Sequence, residues 1–270
     1  TTAKGTYGVG RVIAVTVKFS EAVTVNTSGG TPTLTMGTGA AVNYSSGSGT
    51  TTLTFNYTVV AAQTAADLDY AATNSLALGG GTIRDTAAND ATLTLASPGA
   101  TGSLGANKAI VVDTTAPTVS DVTSTTADGT YGVGKAIVVT VTFTEAVTVS
   151  GTPRLTLETG GTDAVVNYAS GTGSATLRFT YTVASGEASA DHDYVAVGSL
   201  SANGGTIRDA GLNDATLTLP APAGAGSLGN NKAIVIETTA PTVTGVDAAA
   251  ALDSPPTHVV GDLLPVVVTC

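Results

Sequence analysis

Two stretches of this chain, "VVDTTAPTVSDV" from Val111 and "VIETTAPTVTGV" from Val235, are copies of one another set 124 residues apart. The same offset joins "TTAKGTYGVG" at Thr1 to "TTADGTYGVG" at Thr125, "FSEAVTV" at Phe19 to "FTEAVTV" at Phe143, and "GGTIRD" at Gly80 to "GGTIRD" at Gly204. A repeat of this length constrains the fold, because each copy must bury its apolar residues in the same way. The register slips once: "NTSGGTPTL" from Asn26 is three residues longer than "SGTPRL" from Ser150, and the following turn returns the difference. Compensated changes of this kind belong in hairpin loops, where insertion costs little.

A third copy opens and stops. "APTVTGV" from Ala240 leads to "HVVGDLLPVVVTC", which aligns with "YGVGKAIVVTVTF" and sets Cys270 where Phe19 and Phe143 stand. The expected units are residues 1–113, a repeat without its first strand; residues 114–237, a complete repeat; and residues 238–270, the opening strands of a third. Since it starts at Thr1 and not at Met, the chain is expected to be a mature form or a piece of something longer.

Within each copy the apolar period is two. Ile137, Val139, Val141 and Phe143 face one way and Val138, Thr140 and Thr142 the other, while "ATLRFTYTV" turns Leu177, Phe179, Tyr181 and Val183 inward. "RLTLE", "ATLTL" and "KAIVI" read as further strands between turns rich in Gly, Ser, Asn and Pro. Seven or eight short strands in roughly 120 residues predict an all-β fold of immunoglobulin-like β-sandwich type.

Composition narrows the partners. Twenty acids against ten bases give a net charge of −10, which disfavours nucleic acid and anionic membranes and favours cations. The single cysteine excludes an internal disulfide framework. No apolar run approaches the roughly 18 residues of a membrane helix, and no signal peptide opens the chain.

Enzyme signals dissolve on inspection. The Gly-x-Gly of "YGVGRVIA" precedes a strand of period two and lacks a third glycine, so it is no dinucleotide loop. His192 replaces Leu68 of the other copy and His258 replaces Tyr7 and Tyr131, so neither recurs as a base. There is no Gly-x-Ser-x-Gly elbow. The chain is expected to be non-catalytic.

"DTTAPTV", "DGTYGVGKAIVVTVTFTEAVTVSGTPRLTLETGG", "ADLDYAATNSLAL" and "GGTIRDAGLNDATLTLPAPAGAGSLG" together resemble the tandem bacterial Ig-like repeats of large secreted and cell-surface adhesins, over essentially the whole chain. The resemblance implies Ig-like sandwiches in an extended array, outside the cell, often stiffened by calcium.

Charged residues are scarce, so the placing of the acids matters. Glu21 and Glu145, Asp67 and Asp191, Asp69 and Asp193, Asp85 and Asp209, Asp90 and Asp214, and Asp113 and Glu237 recur at one offset, twelve of twenty acids. In "DLDY" and "DHDY" two carboxylates at i and i+2 can supply several of the six to eight oxygens that calcium takes. With the linker acid, this is similar to the junction sites of cadherin-like and bacterial Ig-like chains. The expected ligands are Asp67, Asp69 and Asp113 at one junction and Asp191, Asp193 and Glu237 at the next, with Glu21 and Glu145 as further candidates. The alternative is that Asp67 and Asp191 cap turns or accept backbone N–H bonds. "RDTAAND" and "RDAGLND" form a second cluster of carboxylates and amides, Asp85, Asn89 and Asp90 and then Asp209, Asn213 and Asp214, for which ordinary hairpin-turn roles are the stronger reading and calcium the weaker.

The reading that follows is a structural segment of an extracellular adhesin or surface fibre, stiffened by calcium between neighbouring repeats. Two others stay open. "APTVTGV" could complete the first repeat of an identical chain and build a homopolymeric filament by strand donation. A glycan- or protein-binding module ranks third, since aromatic residues are only 4% and most fall on inward positions.

Overall fold

The computed structural model describes residues 2–248 and 266–269, so His258 and Cys270 lie outside the described residues. The first repeat contributes β1 (Gly5–Tyr7), β2 (Val12–Asn26), β3 (Thr33–Thr35), β4 (Ala41–Ser46), β5 (Thr50–Thr58), β6 (Leu76–Ala77), β7 (Thr82–Arg84), the one-turn helix α1 (Leu104–Asn107) and β8 (Ile110–Val112). The second contributes β9 (Val119–Ser124), β10 (Gly129–Tyr131), β11 (Ala136–Ser150), β12 (Arg154–Leu157), β13 (Ala164–Ser170), β14 (Ser174–Thr182), β15 (Leu200–Ser201), β16 (Thr206–Arg208), α2 (Leu228–Asn231) and β17 (Ile234–Ile236). A last pair, β18 (Gly245–Ala248) and β19 (Val266–Thr269), follows.

The protein is all-β, with curled antiparallel sheets. Strand order is β6-β3-β4-β5-β2-β7 in the first repeat and β15-β12-β13-β14-β11-β16 in the second, so the repeats share this order, and in the second β9 also pairs with β11. Curling comes from the long strands. β11 pairs with β14 from Ala136 to Thr142, shifts register between Thr142 and Val147, and then pairs with β16. β2 does the same between Lys18 and Val23. A shift of this kind bends the strand and raises its twist. In each repeat a short parallel pair, β1 with β8 and β10 with β17, adds to the antiparallel ladders.

The predicted inward faces are buried. Ile137, Val139, Val141, Phe143, Leu177, Phe179, Tyr181 and Val183 are all core residues, as are Ile13, Val15, Leu53, Phe55 and Tyr57 of the first copy. Each repeat has its own apolar cluster. The slip in the repeat register lies in loops, residues 27–32 against 151–153, as expected for inserted chain. Two expectations change. "ATLTL" forms no ladder strand in the first copy: Ala91 and Leu95 give single N–H bonds, to Ile83 and Thr73, with no strand between them. Thr140 was expected on the half-exposed face and is buried, whereas Thr16 is exposed, because β11 is flanked by both β9 and β14 while the same part of β2 has only β5.

One further difference between the copies yields a prediction. His192 is fully buried and stacks on Tyr181 with ring centroids 5.1 Å apart. Its Nδ1 lies 3.2 Å from the Glu158 carbonyl oxygen, and its Nε2 has no partner. In the first repeat this place is held by Leu68, also fully buried. An orphaned buried polar group costs about 1–3 kcal/mol. Burial also depresses the His192 pKa, against the opposing pull of the Glu158 carbonyl and nearby carboxylates. The folded state therefore holds fewer protons than the unfolded chain, and stability is lost as pH falls below the free-imidazole value of about 6.5. His192→Leu is expected to stabilise the second repeat by about 1–3 kcal/mol at pH 7.5, with a larger gain at pH 5.5. Urea unfolding at the two pH values measures both.

Candidate functional site

Asp113 follows β8 directly and begins the linker. Its N–H donates to the Tyr7 carbonyl at 3.1 Å, and its Oδ1 accepts from Thr115 N–H at 3.0 Å. Thr114 Oγ1 donates to the Gln63 carbonyl at 3.1 Å, which fixes the linker to the first repeat. Pro117 is buried, and Thr216 N–H donates to its carbonyl at 2.8 Å, so the chain is already part of the second repeat four residues after Asp113. Proline offers no N–H at this merge and keeps the spacer extended.

The second repeat presents two acids to this turn. Glu145 lies in the register shift of β11, where the ladder is broken. Asp209 follows β16 in a loop held by Leu212 in a left-handed conformation, φ 69°. Its carboxylate accepts from Asn213 N–H at 2.8 Å and from Asn213 Nδ2 at 2.7 Å. The same Nδ2 donates to the Asp113 carbonyl at 2.9 Å, so one amide ties the loop to the linker. Gly8 of the first repeat donates its N–H to the Gly211 carbonyl at 3.1 Å.

Carboxylate oxygens of Asp113, Glu145 and Asp209 consequently lie within 4.8 Å of one another, with Asp209 only 2% exposed. None of the three joins an ion pair among the described residues; Arg208 nearby is engaged by Asp214 at 2.6 Å. Burial raises the Glu145 pKa, and the charges of Asp113 and Asp209 raise it further. Three carboxylates at this spacing can together offer oxygen ligands to a metal ion, while the hydrogen bonds from Thr115 and Asn213 occupy part of their lone pairs.

The structure distributes the other predicted ligands differently. Asp69 accepts from Tyr70, Gly99 and Leu104 N–H groups at 2.9, 3.0 and 3.2 Å, and Asp193 accepts from Tyr194 and Ala223 at 2.8 and 2.9 Å. For Asp69 burial pushes the pKa up, but the hydrogen bonds together outweigh it and the net shift is down. Asp67 and Asp191 stand beside them against the one-turn helices: a Cβ on Gly105 or Gly229 would come within 3.3 Å of both carboxylates of its pair. Neither pair joins Asp113 or Glu237 in a cluster of three among the described residues. Glu237 repeats the Asp113 turn, with Thr239 N–H donating to its Oε1 at 2.6 Å. Glu21 and Asp85 line an open depression with Asn89 and Asp90, and Asp90 pairs with Arg84 at 2.6 Å.

Two features escaped the sequence reading, the Asn213 bridge and the Gly8–Gly211 contact. The signal for the first was the exact recurrence of Asn four residues after the Asp of "RD" in both copies. No known family, curated protein or solved structure matches this chain.

Proposed function

We propose that this chain is a non-catalytic structural segment of an extracellular adhesin or surface fibre, made of tandem Ig-like β-sandwich repeats and stiffened by calcium where one repeat meets the next. The observation that carries the reading is the meeting of Asp113, from the end of one repeat, with Glu145 and Asp209 of the following one. Magnitudes favour a cation there. Two like unit charges about 4 Å apart repel by about 1 kcal/mol in water and about 4 kcal/mol at the effective dielectric of a protein surface. The hydrogen bonds from Gly8 and Asn213 each return about 0.5–1.5 kcal/mol. Three ionised carboxylates without a counter-ion therefore loosen the junction, and a divalent ion closes it.

Calorimetric titration is expected to find one calcium site at this junction, lost in Glu145→Gln, whose side chain makes no hydrogen bond that the change would break. At free calcium about 100-fold above Kd, binding adds about 2.7 kcal/mol to the second repeat. Small-angle scattering is expected to show a longer maximum dimension in calcium than in chelator; an unchanged dimension removes the stiffening. The pH dependence reverses sign with the ion. In chelator the raised Glu145 pKa makes the folded junction hold its proton more tightly, so this contribution is present at low pH and is lost as pH rises through the folded value. In calcium the ionised carboxylates are needed, so the junction weakens on acidification. Thermal unfolding measured against Glu145→Gln isolates this effect from the other acids.

A further inference from the structure

The outer face of β12, β13 and β14 sets the second repeat apart from the first. On it Arg154 and Arg178 are exposed, and so are Val165 at 57% and Val195 at 44%. The strand registers put Thr33, Thr54, Ala41 and Ala71 at the matching places of the first repeat. The loop after β12 differs too: residues 158–163 carry Glu158 and Asp163, whereas residues 37–39 of the first repeat carry no acid. Facing inward on the same strands, Leu155, Val166, Leu177 and Phe179 repeat Leu34, Val42, Leu53 and Phe55, and all are buried. The core therefore does not account for the outward changes.

These outward groups fall into three zones. Thr156 is opposite Val165, and Val195 N–H donates to the Thr156 carbonyl at 3.3 Å, so an apolar row of Val195, Thr156 and Val165 crosses the face. Arg154, opposite Asn167, stands two residues to one side of the row, and Arg178 lies further that way on β14. Asp163, just ahead of β13, stands two residues to the other side, and Glu158 directly follows β12. Arg154 Nε donates to Asn167 Oδ1 at 3.2 Å, but neither arginine nor Asp163 joins an ion pair among the described residues. Opposite charges are thus kept apart by the valine row. The preceding repeat is already docked on this one, through the linker, Gly8 and Asn213, and leaves the face exposed.

We propose that this face is an interface for the same face of a second copy of the chain, with the strands of the two copies antiparallel. A two-fold axis along the row of Val195, Thr156 and Val165 sets each valine against its own counterpart. The same axis brings Arg154 of each copy to the partner's Asp163 and the partner's Glu158. Valines now in water become covered, and guanidinium groups without an ion pair meet carboxylates. A net charge of −10 opposes indiscriminate self-association, so copies meet where opposite charges are locally matched. With no aromatic anchor on the face, each contact is weak. The contact uses none of Asp113, Glu145 and Asp209, so it stands whether or not calcium binds there.

Sedimentation equilibrium of the chain in chelator, over rising concentration, tests this. Reversible association is expected, weakened about tenfold or more by Arg154→Glu, by Asp163→Arg and by the pair Val165→Ala with Val195→Ala. All four side chains are exposed, so the variants stay folded, as circular dichroism verifies. Arg154→Glu and Asp163→Arg chains mixed in equal amounts are expected to regain association, because each supplies the charge that the other needs. A chain that stays monomeric overturns the proposal, as does association that either charge variant leaves unchanged. A mixture no tighter than its components alone also overturns it, since the charges would then act within one copy.

Discussion

Val122→Asp is expected to destabilise the second repeat by about 3–5 kcal/mol while leaving the first untouched. Val122 is fully buried at the centre of β9, opposite Val141 in the ladder. Losing its burial costs about 1.5–3 kcal/mol, and a carboxylate without a partner adds a desolvation penalty of several more. The penalty has a ceiling, because the strand can leave. The first repeat keeps a buried core with no strand in the place of β9 among the described residues, so the second repeat without β9 should resemble it. Urea unfolding should resolve two transitions in the variant, only the later residues' midpoint having moved. Val122→Ala gives the milder end of the series, about 2 kcal/mol. Equal shifts in both transitions would mean that the two cores do not unfold separately.

The all-β character was legible because it rests on local pattern. Ile137, Val139, Val141 and Phe143 alternate with polar neighbours, and a period of two leaves an apolar face only in a strand. "ATLTL" carries the same alternation but makes only isolated hydrogen bonds, since pairing needs a neighbour and no periodicity supplies one. His192 illustrates the same limit. Its difference from Leu68 was visible, but the missing partner at Nε2 is a property of the packing around it.

The candidate site divides along similar lines. Asp113 stood out because an acid at the end of an apolar strand, just before a proline, marks a boundary between repeats. Its neighbours were harder to assign. Asp67 and Asp69 are close to one another in sequence and invite a ligand reading, yet Asp69 serves three backbone N–H groups. Glu145 reaches Asp113 from β11 and Asp209 from just after β16, two strands that are far apart in sequence but paired in the sheet. Their approach depends on where the β11 ladder breaks and on how the 209–213 loop closes, which only the folded chain decides.

The junction itself is open to a test that touches no charge. Gly8 does not have a positive φ, so its backbone conformation accepts a side chain. A Cβ on Gly8, however, would lie 2.4 Å from the Gly211 carbonyl oxygen and 2.7 Å from Asn213 Oδ1. The first of these is backbone and cannot swing away. Gly8→Ala should therefore separate the two repeats at this point, breaking the Gly8–Gly211 hydrogen bond and pulling Asn213 from the Asp113 carbonyl. Calcium affinity at the junction is expected to fall about tenfold or more, the equivalent of about 1.4 kcal/mol. The unfolding midpoint of each repeat in chelator should stay within about 0.5 kcal/mol of the parent, as for a surface change. Gly132→Ala is the control, since it is the same position one repeat on and its Cβ would meet only the Glu237 carbonyl, at an ordinary 3.5 Å. If the two variants bind calcium alike, the Gly8 contact does not set the geometry of the three carboxylates. If only Gly8→Ala loses affinity, the ion site depends on how two repeats are held together and not on any one repeat alone.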